Sequence, residues 1–211
     1  CGMINGFGMG EDLIHTIVMA DDPMQVMLQT VGSPLKNGTE LAIFDANREP
    51  LPAGEKGELG YRGPNMFLGY YKNPEKTDAT RGEDGWFYTG DTGFVDEDGR
   101  LRLSGRKKEM INKGGSKIFP LTIENILCFH PKIETVAVIG LPDPDLGEKV
   151  CACVIAKPGQ TVTHEDVKTY MEQQGASKYE MPDITQVLSE FPLTPTGKIK
   201  KDLLPEKIAK N

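Results

Sequence analysis

No run of the 211 residues is apolar enough to suggest a membrane-spanning helix. No Lys/Arg run is long enough for a nucleic-acid surface, and a net charge of −7 argues against one. Histidine is scarce: His15, His130 and His164 share no metal-ligand spacing. Four cysteines are too few and too badly spaced for a zinc site, because Cys151-x-Cys153 lacks a second Cys/His cluster. As strand residues, Cys151 and Cys153 point to one face, and they read as reduced and buried in a cytoplasmic protein. The start has no basic segment of a signal peptide. It is not Met and lies close to a motif, so a piece of a longer protein is expected.

What is present is a turn-rich α/β and α+β text, its Gly and Pro spread along the chain. From about Val31 to Ser104 short strands prevail, suggesting a small barrel or curled sheet. Thr39–Asp45 and Gly57–Arg62 read as strands, Asn73-Pro74 opens a short helix, and Gly85–Val95 is strand-like. Asp96–Gly99 is a hairpin turn before a returning strand, Arg100–Leu103; its acids lack the other ligands of a calcium loop. After Arg106 the periodicity changes. Pro120–Phe129 reads as a helix stopped by Pro131, Thr135–Leu141 as a strand, and Pro142–Glu148 as a loop. Lys149–Ala156 is the next strand. Thr163 caps a helix that Gly175 ends, with Asp166 as capping-box partner, and Asp183–Leu188 is the last strand. The order is roughly β-α-β-β-α-β, with a domain boundary near Arg106–Glu109.

Four segments carry possible chemistry: Phe7-Gly8-Met9-Gly10-Glu11, Tyr88-Thr89-Gly90-Asp91, Gly105-Arg106-Lys107-Lys108-Glu109 running on to Gly114-Gly115, and Pro192–Lys198. Singly each has a plain reading. Asp91 would be a turn residue, Gly114-Gly115 a turn, Lys198 a solvated lysine, Phe7 a core aromatic and Lys108 an exposed linker lysine. Their chemical possibilities differ. A carboxylate accepts from both hydroxyls of a ribose diol, paired glycines permit close approach by a ligand, and a lysine meets phosphate oxygens as a point charge.

In this order and spacing, together with Gly63-Pro64, Gly69-Tyr70-Tyr71 and Asp84–Asp91, the segments resemble the adenylate-forming superfamily over essentially the whole chain. That superfamily comprises acyl- and aryl-CoA synthetases, 2,3-dihydroxybenzoate–AMP ligases, carrier-loading adenylation domains and beetle luciferases. The resemblance implies the end of a large N-terminal AMP-binding domain (1–30), a small β-barrel-like subdomain (31–105) and a mobile α+β lid (106–211). It implies that Phe7 stacks on adenine beside Gly8, that Glu11 helps hold Mg²⁺, that Asp91 binds the ribose of ATP, and that Arg106 reaches its ribose or phosphate. Gly10 stands where the family usually has Thr and offers no side chain to the phosphates. Lys108 falls at the hinge position, Gly114 and Gly115 line the pantetheine channel, and Lys198 is the catalytic lysine.

The implied reaction joins a carboxylic acid to AMP and then to coenzyme A. Loading of a carrier protein's phosphopantetheine is the alternative, and a non-catalytic lid or interaction module the alternative of another class. The family's phosphate loop is not found in these residues, so they are expected not to complete adenylation alone. Trp86, Met19, Met24 and Met27 read as packing.

Overall fold

The computed structural model describes residues 4–209 and divides into two compact units, up to Lys107 and from Lys108 onward. In the first, β1 (Gly6–Phe7), β2 (Thr16–Ile17) and, after helix α1 (Met24–Gln29), β3 (Ser33–Pro34) form a small antiparallel sheet. A larger one follows: β4 (Glu40–Phe44), β5 (Gly57–Arg62), helix α2 (Pro74–Thr80), β6 (Phe87–Val95) and β7 (Leu101–Arg106). Its strands lie in sequence order, each antiparallel to the next. The sheet is open, so of the small barrel or curled sheet that its many short strands suggested, the barrel is not formed. Asn73 caps α2 as expected, its side chain accepting from the Lys76 N–H at 3.0 Å. Ile43, Leu59 and Leu101 make the core, and Trp86 packs edge-on against Phe44, as its packing assignment required.

Between β1 and β2 the chain doubles back within a few residues. His15 N–H donates to the Phe7 carbonyl, and Leu13 N–H to that of Met9. The approach is so close that a Cβ on Gly8 would stand 1.8 Å from the Leu13 carbonyl oxygen.

The second unit has β8 (Ile111–Lys113), β9 (Ser116–Ile118), α3 (Pro120–Leu127), β10 (Ile133–Asp143), β11 (Gly147–Ala156), α4 (His164–Gln173), β12 (Ile184–Val187) and α5 (Leu204–Ile208). The β8–β9 hairpin was not anticipated, because three-residue strands carry too little alternation to register. Nor is 142–148 a loop: β10 and β11 pair as far as Asp143 and Gly147, leaving three residues to turn. Asp143 makes that turn stable by accepting from the Asp145 and Leu146 N–H groups and pairing with Lys149.

β11 is central, antiparallel to β10 and parallel to β12. Period-2 alternation sends Val150, Ala152 and Val154 into one core with Ile123, Leu127, Val167 and Met171 of α3 and α4. Cys151 and Cys153 enter the opposite core with Leu188, Phe191 and Leu204. Both cysteines are free and share a face, as the spacing required. Covering on both faces is why Val150–Ile155 is continuously apolar, and each such buried aliphatic is worth about 1.5–3 kcal/mol.

α4 carries the expected capping box: Thr163 Oγ1 accepts from Asp166 N–H, and Asp166 accepts from Thr163 N–H. Lys132 and these bonds hold the Asp166 carboxyl well below the usual range. Thr163→Ala should therefore cost about 1 kcal/mol in urea unfolding. Asp166 is depressed in the folded state, so its contribution is complete above about pH 4 and disappears as pH falls toward the native value. Acid titration of Asp166→Asn should show a shallower stability loss below about pH 4. Gly8→Ala should destabilise the first unit by roughly 3 kcal/mol, as an overpacked backbone contact does, read as a fall in midpoint temperature.

Candidate functional site

Asp91 sits between two irregularities of β6. Against β5 the register passes from Glu58↔Thr92 to Gly60↔Tyr88, so Thr89, Gly90 and Asp91 oppose Leu59 alone. Against β7 it passes from Thr92↔Gly105 to Gly93↔Leu103. Bulges re-aim side chains, and this one needs a left-handed residue, which Gly90 supplies at φ +73. Thr89 Oγ1 closes it, donating to the Leu59 carbonyl at 2.9 Å and accepting from the Asp91 N–H at 3.0 Å.

The Asp91 side chain is 9 % exposed and accepts from Arg106 Nε at 3.1 Å across the β6–β7 ladder. Arg106 is half exposed, so the pair puts a guanidinium at the surface beside a nearly buried carboxylate. Glu58 fixes both flanks. One oxygen accepts from the Gly90 N–H at 3.2 Å, just before Asp91; the other pairs with Lys107 at 2.7 Å, just after Arg106. A polar cavity of about 280 Å³ adjoins, bordered by Glu58, Gly90, Lys107, Tyr88 and Arg48. The sequence reading took Gly57–Arg62 as a plain strand and missed Glu58 and its pairing with Lys107, since pairing across 49 residues leaves no local signature.

Phe7, Gly8 and Glu11 occupy the doubled-back loop of the same unit. Phe7 is partly buried against the Ile43–Leu59–Leu101 core and tilts over His15, with ring centroids 5.4 Å apart. Gly8 is required by the steric closeness described above. Gly10 is exposed, and a Cβ there would meet nothing within 4 Å. Glu11 accepts from the Tyr70 hydroxyl at 2.6 Å. Burial first, and then Glu11, push the Tyr70 phenol up to about 12, so it remains a donor. The Gly69-Tyr70-Tyr71 motif marked Tyr70 in the sequence, but nothing local foretold this contact. His15 is fully buried facing the Asp12 carboxylate, with Tyr61 edge-on at 4.5 Å, which accounts for it as a packed, paired histidine. Among the described residues no group of three or more His, Cys, Asp or Glu could hold a metal ion. Glu11 would offer its carboxylate to a Mg²⁺, a hard cation that takes carboxylate oxygens.

The remaining expected residues lie at or beyond the unit boundary. Lys108 is exposed in the short 3₁₀ turn Lys107–Glu109. Gly114 and Gly115 form the two-residue turn between β8 and β9 at φ +57 and +84, a conformation that demands glycine or Asn-like residues at both places. A Cβ on Gly115 would meet nothing within 4 Å, so the surface above it is open. Lys198 is exposed at the end of a tight turn: Gly197 N–H donates to Thr194 O, and Lys198 N–H to Thr194 Oγ1 at 3.0 Å. Among the described residues its ammonium makes no ion pair. The structure thus groups Asp91 with Arg106 in the first unit and leaves Lys198 and the glycine turn in the second.

Residues 1–71 match the family described as AMP-binding enzyme, and residues 122–198 match the AMP-binding enzyme C-terminal domain, more than half of the chain between them. The medium-chain fatty-acid–CoA ligase of Escherichia coli K12 is 37 % identical over 203 residues, 96 % of this chain and 36 % of that protein. A Streptomyces salicylyl-CoA synthase/salicylate adenylyltransferase is 38 % identical, over 94 % of this chain and 36 % of its own length. The crystal structure of ATP-bound MatB from Rhodopseudomonas palustris superposes with a TM-score of 0.86 at 32 % identity, covering 97 % of this chain and 40 % of that one. The chain therefore spans little more than a third of the length of these curated relatives. With those matches added to its bulged Asp91–Arg106 pair and glycine-turned lysine loop, the chain belongs to the AMP-binding family of adenylate-forming enzymes.

Proposed function

We propose that the chain is the C-terminal part of an acid–CoA ligase. The observation that carries this reading is the Asp91 carboxylate, set by a bulge next to Arg106 and flanked by the Glu58 clamp. That arrangement suits a ribose diol beside a phosphate: Asp91 accepts from the hydroxyls and Arg106 meets the anion. Phe7 and Gly8 take the adenine side, with the exposed part of the Phe7 ring as a stacking face. Glu11 would offer its carboxylate to the Mg²⁺ that accompanies ATP. When bound, that ion neutralises charge on the phosphates.

In the first half-reaction a carboxylate oxygen of the acid bonds to the α-phosphorus. The bond from that phosphorus to the bridging oxygen of pyrophosphate breaks, and pyrophosphate leaves with the electron pair. Negative charge gathers on the phosphoryl oxygens. Lys198, carried by the second unit and brought up by rotation at Lys108, places its ammonium there, where a fixed cation in a closed site stabilises the change. Thr194 and Gly197 do not themselves react; they shape the loop that presents Lys198. In the second half-reaction a thiol sulfur attacks the acyl carbon, its proton passes to solvent, and AMP leaves. The open surface over Gly115 gives the pantetheine arm its path. CoA is the acceptor in this reading, supported by the fatty-acid–CoA ligase relative. The salicylate relative, named for adenylation as well as CoA synthesis, keeps a carrier protein's phosphopantetheine as second acceptor. A cytoplasmic location accords with the free buried thiols of Cys151 and Cys153.

Lys198→Ala in the full-length enzyme should lower carboxylate-dependent ATP–pyrophosphate exchange about 10²–10³-fold, while thioester formation from supplied acyl-adenylate changes little. Equal losses in both half-reactions would refute the role given to Lys198. The 211 residues alone should show no exchange above background; robust exchange would show that they hold a whole active site. Product analysis with CoA against a phosphopantetheinylated carrier separates the acceptors.

A further inference from the structure

Three residues after Lys198, the side chain of Lys201 turns inward. Its ammonium lies 2.9 Å from Glu109 Oε2 and 2.7 Å from Glu124 Oε1. All three side chains are less than a third exposed, at 22, 30 and 16 %. Burial pulls the Lys201 pKa down, but the two carboxylates outweigh it and leave it above the ordinary lysine value. The cation is therefore retained at neutral pH, clamped between two anions. Each anion belongs to a different segment of the second unit. Glu109 directly follows Lys108 in the chain, and Glu124 lies in α3, where its Oε1 also accepts from the Val138 N–H of β10 at 2.7 Å.

Lys201 itself opens the 3₁₀ turn Lys201–Leu203, at the foot of the loop that carries Lys198. That foot is narrow. Leu193 bridges Ile199, and Lys200 N–H donates to the Pro192 carbonyl at 2.8 Å. Apolar packing of Ile199 and Leu204 anchors the foot to the sheet without dictating its angle. A charge held between two carboxylates does dictate it, because any tilt breaks a partly buried ion pair. A solvent-exposed lysine pair would carry no such constraint.

We propose that Lys201 is a positioning residue: through Glu109 and Glu124 it locks the base of the Lys198 loop to the segment leaving Lys108, so that the lysine and the pivot move as one body. The inference rests on the acid-activation reading above. It separates two functions of the second unit, because the Gly114-Gly115 turn is held by other contacts. Lys113 pairs with Asp183 at 2.7 Å, and Gly114 N–H donates to the Leu146 carbonyl at 2.8 Å. Loss of Lys201 should misplace Lys198 and spare the glycine turn.

The test compares Lys201→Met, Lys201→Arg, Lys198→Ala and the Lys198→Ala/Lys201→Met double variant in the full-length enzyme, each half-reaction assayed separately. Lys201→Met should lower kcat of ATP–pyrophosphate exchange roughly 10- to 100-fold, the scale of an ångström-level misplacement. Its KM for ATP and its thioester formation from supplied acyl-adenylate should stay within about threefold, and Lys201→Arg should recover most of the loss. In the Lys198→Ala background the Met substitution should add less than about twofold, since a residue acting through Lys198 has nothing left to position. Full multiplication of the two effects, or parallel loss in both half-reactions, would overturn the proposal. Undiminished exchange in Lys198→Ala alone would instead remove the acid-activation reading beneath it. If Lys201→Met is insoluble, Glu109→Gln, which keeps size and hydrogen bonding but removes one charge, should show the same split at smaller amplitude, and an even loss would again overturn it.

Discussion

A carboxylate cannot be taken out of water without partners, and in the first unit that constraint organises everything around Asp91. Its strand bulges against β5 where the side chain meets Arg106 across the β6–β7 ladder. The bulge must contain a residue at positive φ, and the residues on either side of the pair must be held still. Gly90 meets the first need, and Glu58 the second, by reaching the Gly90 amide with one oxygen and Lys107 with the other. The departure from regular pairing is where Asp91 and Arg106 meet.

The second unit solves a different problem. Its sheet is covered on both faces, so β11 is apolar throughout and the polar chemistry is driven to the turns and loops at its margins. Those loops are made definite by charges rather than by apolar packing: Asp143 with Lys149, Lys113 with Asp183, Lys201 with Glu109 and Glu124. A rigid two-faced slab with separately pinned loops can present one loop for one step and another for the next. That is the logic on which the two half-reactions are assigned to Lys198 and to the glycine turn.

Legibility followed the range of the interaction. Local chemistry was plain in the text: the Asn73 and Thr163 caps, the Asp96–Gly99 turn, the shared face of Cys151 and Cys153, and the helix opened by Pro120. Short strands were not, because three residues such as Ile111–Lys113 or two such as Thr16–Ile17 show no period. Pro142–Glu148 was read as a loop since Pro and Gly usually break strands, yet strand pairing continued through Pro142 as far as the Asp143 turn. The choice between a small barrel and an open, curled sheet stayed undecided for a related reason: counting strands does not say whether the first meets the last.

By itself the sequence determined the family and the local caps and turns, because those rest on motif order and on contacts between near neighbours. Only the tertiary structure decided which distant residues hold one another: Tyr70 on Glu11 across 59 positions, Glu58 on Lys107 across 49, Lys201 on Glu109 across 92. The physical reason is that a hydrogen bond or ion pair needs approach to about 3 Å. Separation along the chain says nothing about that distance until the sheets have formed and brought the partners together.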